Sequence, residues 1–209
     1  MFIYQAKEII GSLSNPSKMP GKGYGIPARE CGVGGKLQPI VGSVCNKCYA
    51  LKGRYVFPNV QRSQYRRLAS LSDPRWVMAM VRLIKDRERW FRWHDAGDIQ
   101  SIAHLTKIVA VALLAPDTNF WMPTREYGLV KKWRDLGGTI PRNLAIRLSA
   151  PMVGARFPDR AGLSSMVLKK GQETPEGVHL CPASQQGGLC GDCRACWDTT
   201  SVITAYPIH

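Results

Sequence analysis

Four cysteines fall within sixteen residues near the end of the chain, at Cys181, Cys190, Cys193 and Cys196, and the last three form a C-x2-C-x2-C run. Gaps of two residues let successive sulfurs turn toward one small object without long loop closure, so the turn is suited to holding metal. A continuous run of such gaps is the core of bacterial ferredoxin ligation, whereas structural zinc sites usually bring together two separated pairs. The spacing points to an iron–sulfur cluster ahead of zinc.

A second group lies toward the other end. Cys31 is separated by thirteen residues from the pair Cys45 and Cys48, with Gly32, Gly34, Gly35 and Gly42 between. Glycines let backbone amides approach an inorganic cluster and hydrogen-bond its sulfurs. Three cysteines here and four there is an informative division. A 4Fe-4S cluster held by three thiolates leaves one iron open to a ligand, and one held by four is closed. The alternative is a single shared site, with Cys31 a buried small hydrophobe and Cys45 and Cys48 joined by two of the C-terminal cysteines. One or two 4Fe-4S clusters are therefore expected.

An odd count of seven cysteines is poorly explained by disulfides. No apolar run approaches the ~20 residues needed to cross a bilayer, and the opening Met1 to Glu8 lacks a basic region followed by an apolar core. These features imply a cytoplasmic protein with no membrane partner. The length of 209 residues suits one domain. Within residues 1–209 three regions stand out: an N-terminal cysteine loop at 31–50, a βαβαβ core at 89–150 and the C-terminal cysteine cluster at 179–197. The formal charge of +14 attracts polyanions, and its densest part runs from Arg54 to Arg92.

The core reads as alternating strands and helices. Apolar runs at 90–93, 119–122 and 143–148 are strands. Between them, Ser101 caps a helix with Ile102, Leu105, Ile108, Val109, Ala112 and Leu113 on one face, and a second helix spans 126–136 before Gly137 and Gly138. An earlier helix is expected from Asp73 and Pro74, and a last strand at 201–206; residues 151–178 read as loop. Strands joined by helices of this length pair in parallel, giving an α/β fold whose βα units form a partial barrel or open sheet, with cysteine-rich loops at both ends.

In such folds ligands sit at the carboxyl ends of the strands. Those ends lead into His94, Asp95 and Asp98; into Thr124, Arg125 and Glu126; and into Ser149. These seven are candidate catalytic residues, because charge at strand ends is costly unless paired or used. His104 and the terminal His209 offer no such signal, while His179, two residues before Cys181, is a possible ligand or donor to sulfur.

Four blocks in order, Cys45 to Tyr55, Arg92 to Asp98, Phe120 to Glu126 and Cys190 to Trp197, resemble the bacteriophage gene-product-eighty-eight-like proteins over most of the chain from Cys31 onward. That resemblance implies a phage origin and expression in the cytoplasm of an infected bacterial host, and no particular reaction. More distantly, a three-cysteine loop ahead of parallel βα units, with a further cysteine cluster at the C-terminus, is similar to radical S-adenosylmethionine enzymes carrying an auxiliary cluster. This chain has C-x13-C-x2-C where that superfamily typically has C-x3-C-x2-C. The resemblance implies that Cys31, Cys45 and Cys48 hold the open cluster and that Ala96, Gly97 and Asp98 approach S-adenosylmethionine.

Three functions compete. The first is a redox or radical enzyme with a small-molecule or nucleic-acid substrate and an electron-donor protein as partner. The second is a non-catalytic iron–sulfur protein for electron transfer or redox sensing. The third is a zinc-stabilised nucleic-acid-binding protein, in which Cys181, Cys190, Cys193 and Cys196 are structural.

Overall fold

Apolar residues recur on alternate positions of the central strands, and their helices carry apolar faces of matching length. The two can bury each other only by layering. In the computed structural model, which describes residues 1–155, 163–200 and 203–208, they do so around one sheet. Its strands are β1 (Gly23–Tyr24), β2 (Trp90–Trp93), β3 (Asn119–Thr124), β4 (Leu144–Ser149), β5 (Ser164–Leu168), β6 (Val178–Leu180) and β7 (Ile203–Pro207). They run in the order β1-β2-β3-β4-β5-β7-β6, and every pairing is parallel. The expected α/β fold with a parallel sheet is what the chain forms.

The helices are α1 (Ile3–Ile10), α2 (Gly32–Leu37), α3 (Pro58–Ser70), α4 (Trp76–Ile84), α5 (Ile102–Leu114) and α6 (Tyr127–Asp135). Ser101 caps α5 as expected, its hydroxyl accepting the His104 N–H. One sheet face sends Phe91, Trp93, Phe120, Met122, Leu144 and Ile146 into a core shared with Trp76, Met80 and Ile84 of α4 and Leu105 and Ile108 of α5. Burying each such side chain contributes roughly 1.5–3 kcal/mol. The alternate positions, Trp90, Arg92, Trp121 and Arg147, lie on the other face by the two-residue period of a strand. There Trp121 packs with Cys196 and Trp197, and Trp90 and Tyr206 flank them.

Several elements differ from expectation. The helix expected from Asp73 begins at Trp76, because Asp73 Oδ1 instead accepts the Arg75 N–H at 2.7 Å and holds a turn. The stretch 151–178 holds β5 and the start of β6; the serines at 164 and 165 and the brevity of β6 hide both. The two-residue β1 and the short α1 also went unread. The last strand begins at Ile203; Ser201, Val202 and His209 lie outside the described residues. Among the described residues no helix is long and apolar enough to cross a membrane.

Candidate functional site

Because all strands run one way, their carboxyl ends share an edge, and Asp98 is the hub of that edge. Its Oδ1 accepts the Thr124 hydroxyl at 2.6 Å and the Ile99 N–H at 2.8 Å, while Oδ2 accepts the Arg125 N–H at 2.8 Å. Burial pushes this carboxyl up to about 6, against those three hydrogen bonds, which favour the charged form. The Thr124 hydroxyl accepts the Glu126 N–H at 3.0 Å. The polar ends of β2 and β3 thus form one network.

The N-terminal cysteine loop is stitched over that edge at three points. Glu126 Oε1 accepts the Val33 N–H of α2 at 2.6 Å. Val44 N–H reaches the Pro151 carbonyl beyond β4 at 2.9 Å. The Tyr49 hydroxyl donates to the Asp95 carbonyl after β2 at 2.6 Å. These bonds hold the loop that carries Cys31, Cys45 and Cys48 over the edge, near enough for the Asp98 charge to act on Cys31 and Cys45. Burial pushes the Cys31 thiol up to about 12, with Asp98 and the other two thiols adding to it. Burial also raises Cys45, and the nearby Arg125 cation opposes the rise. Gly34 leaves a cradle beside two of the sulfurs: a Cβ placed there would lie 3.6 Å from both Cys31 Sγ and Cys45 Sγ. Arg125 Nε is buried without a hydrogen-bond partner among the described residues.

The other candidates are placed differently. His94, with φ of 55°, turns its ring against His104 of α5 at 5.3 Å between centroids, in the helix layer. Burial holds both imidazoles below the usual range, His104 at about 3. Asp95 Oδ1 accepts the Ser14 hydroxyl at 3.3 Å. The Ala96 carbonyl is taken by the Ile26 N–H at 3.0 Å, and a Cβ on Gly97 would strike Ile26 Cγ1 at 2.4 Å. Only glycine fits there, with φ of +79°, so this turn is closed by Ile26. Ser149 Oγ accepts the Ser165 hydroxyl at 3.2 Å, and its carbonyl accepts the Tyr127 hydroxyl. The structure therefore joins Asp98, Thr124, Arg125 and Glu126 to the cysteine loop, and draws His94 away from them.

The C-terminal cysteines form a second group. His179 Nε2 lies 3.2 Å from Cys193 Sγ, and Cys196 Sγ lies 3.2 Å from Tyr206 Oη. Burial raises the thiols of Cys181, Cys190 and Cys196, the last to about 11. Arg147 on β4 organises this turn: Nε donates to the Cys196 carbonyl at 2.9 Å, and Nη2 to those of Ala195 and Asp198 at 2.6 and 2.8 Å. Arg92 on β2 lies 4.5 Å over Trp121 and donates to Tyr49 Oη at 3.1 Å. Sequence reasoning missed Arg92, Arg147, Tyr49 and Tyr127. The available signal was an arginine inside each of two short apolar strands.

All seven cysteines are free thiols, and among the described residues no three His, Cys, Asp or Glu side chains converge as a single metal ion requires. A groove of about 790 Å³ lies elsewhere, between α1 and the α3–α4 turn; its lining of Glu8, Arg66, Asp73 and Arg75 is of mixed charge and includes none of the cysteines. No curated protein and no solved structure matches the chain. The distant likeness to radical S-adenosylmethionine enzymes thus finds no support among them. The sequence profile described as gene product 88 matches residues 4–199, nearly the full length and including both cysteine groups, and the chain belongs to the gene product 88 family.

Proposed function

We propose that the chain is an iron–sulfur enzyme whose reaction takes place at the carboxyl edge of β2, β3 and β4. The observation that carries this reading is the stitching of a three-thiol loop directly over a buried carboxylate and an unpartnered guanidinium nitrogen. The donor set suits a cluster. A tetrahedral zinc, with Zn–S of about 2.3 Å, needs its sulfurs within about 4 Å of one another. A four-iron cluster takes each sulfur on a separate iron and so accepts sulfurs set further apart.

Cys31, Cys45 and Cys48 would hold one cluster, and Cys181, Cys190, Cys193 and Cys196 a second. When bound, the first would supply one-electron redox chemistry next to an open coordination position. The chain's own groups do the rest. Asp98, with its proton near balance close to neutral pH, holds or accepts a proton at Oδ2. Arg125 Nε offers a buried donor to an anionic group of the substrate, a carboxylate or phosphate. S-adenosylmethionine is one candidate cosubstrate, since it carries such a carboxylate.

The test is iron, zinc and acid-labile sulfide per chain on anaerobically purified protein. Roughly eight irons matched by eight sulfides are expected. Cys45→Ala should remove about half and Cys193→Ala the other half. Zinc without sulfide would overturn the reading, and equal bleaching by both variants would replace two clusters with one shared site.

A further inference from the structure

Between Gly32 and Ser72 the chain carries seven basic residues and no aspartate or glutamate. At the chain's own average of 15 acidic residues in 209, a stretch of this length would hold about three. Two of the cations are engaged internally: Arg66 donates to the carbonyls of Lys7 and Glu8, and Arg67 to those of Ser12 and Gly25. Lys36, Lys47, Lys52, Arg54 and Arg62 are exposed.

Aromatic rings stand among them. Tyr49 is 54% exposed, Phe57 53% and Tyr65 42%. Rings of this size usually bury most of their area. The two tyrosine hydroxyls are anchored while their rings stay open: Tyr49 Oη donates to the Asp95 carbonyl and accepts from Arg92, and Tyr65 Oη lies 3.3 Å from Glu30 Oε1, a carboxylate at the margin. The segment is one connected surface. Tyr49 and Tyr55 touch at 5.5 Å between centroids, Gln61 of α3 donates to the Tyr55 carbonyl at 2.6 Å, and Asn46 donates to the Gln38 carbonyl at 2.9 Å.

Cations interleaved with fixed, open rings match a phosphate backbone bearing unpaired bases, because every base offers a face for stacking. A duplex hides those faces. An anionic membrane would instead favour a helix with a continuous apolar stripe, and the outer face of α3 carries Asn59, Arg62, Ser63 and Arg66. We propose that the surface formed by residues 36–65 binds single-stranded nucleic acid beside the N-terminal cysteine loop. The proposal goes beyond the iron–sulfur reading and does not depend on it.

The experiment is fluorescence anisotropy of the full chain with a labelled single-stranded oligonucleotide, the same sequence as a duplex, and phosphatidylserine vesicles, over a series of salt concentrations. Iron is measured in each sample, so that loss of metal is read separately from loss of binding. The single strand should bind tightest, with log K falling against log salt with a slope of about −3, as about four neutralised phosphates require. Combined Lys52→Glu, Arg54→Glu and Arg62→Glu should weaken binding at least about a hundredfold. Phe57→Ala should weaken it about tenfold with the salt slope unchanged. Lys132→Glu with Arg134→Glu on α6 should leave it as it was. Undiminished binding by the triple variant, a preference for duplex, or vesicle binding without oligonucleotide binding would each overturn the proposal.

Discussion

At Gly34 the missing side chain is the useful feature. A methyl group there would press on Cys31 Cβ at 3.0 Å and stand 3.6 Å from two sulfurs. Alanine favours the helical backbone of α2 over glycine by about 1 kcal/mol, which offsets the small shift that the contact with Cys31 Cβ demands. Gly34→Ala is therefore expected to cut iron from roughly eight toward four per chain, with an unchanged melting temperature; full iron content would show that the cradle is only a packing detail. His104 supports a different expectation. Buried neutral, it titrates near 3 in the fold and near 6.5 when unfolded, and His94 is likewise held low. Depressed bases stabilise the fold above the unfolded pKa, and that stability is lost as pH falls from about 6.5, at about 1.4 kcal/mol per unit for each group. Asp98, raised to about 6 from about 4, works in reverse: its contribution is full at low pH and is lost as pH rises through 6. Between pH 6 and 4 it offsets one histidine. Urea titrations of the wild-type chain should show the slope of the other, and His104→Gln should be nearly flat.

Among the elements, β4 does most to position the C-terminal cysteines, and it does so through one side chain. Arg147 is fully buried and its guanidinium satisfies the carbonyls of Ala195, Cys196 and Asp198. Arg147→Met keeps the volume but orphans those acceptors, with an expected loss of about 3 kcal/mol or more, readable as a lower urea midpoint. Arg147→Lys should recover little, since one ammonium cannot reproduce the fork. A midpoint unchanged in the methionine variant would mean that the turn stands without β4. The elements that sequence made legible were those with a clear period. β2, β3 and β4 are short apolar runs, and α5 and α6 combine an apolar face with a cap or a glycine stop. The pattern fails in β5, where Ser164 and Ser165 are buried as polar residues, and in β1 and β6, which are too short to show any alternation.

For the whole molecule, parallel strand direction let Asp98, Thr124, Arg125 and Glu126 be grouped from sequence, because topology alone places strand ends on one edge. Topology does not say which way a side chain turns once past the strand, and so His94, at φ 55°, was grouped with them although its ring enters the helix layer. The roles of Arg92 and Arg147 depend on contacts with loops distant in sequence, which no local pattern contains. The order of strands has a further consequence. Among the described residues β6 pairs in the sheet only with β7, which wedges between it and β5. During synthesis β6 and the cysteine turn leave the ribosome before the strand that seats them, and the Cys181 amide waits for the Ala205 carbonyl. β7 is the keystone of assembly, and the C-terminal thiols reach their places only once that strand has been made.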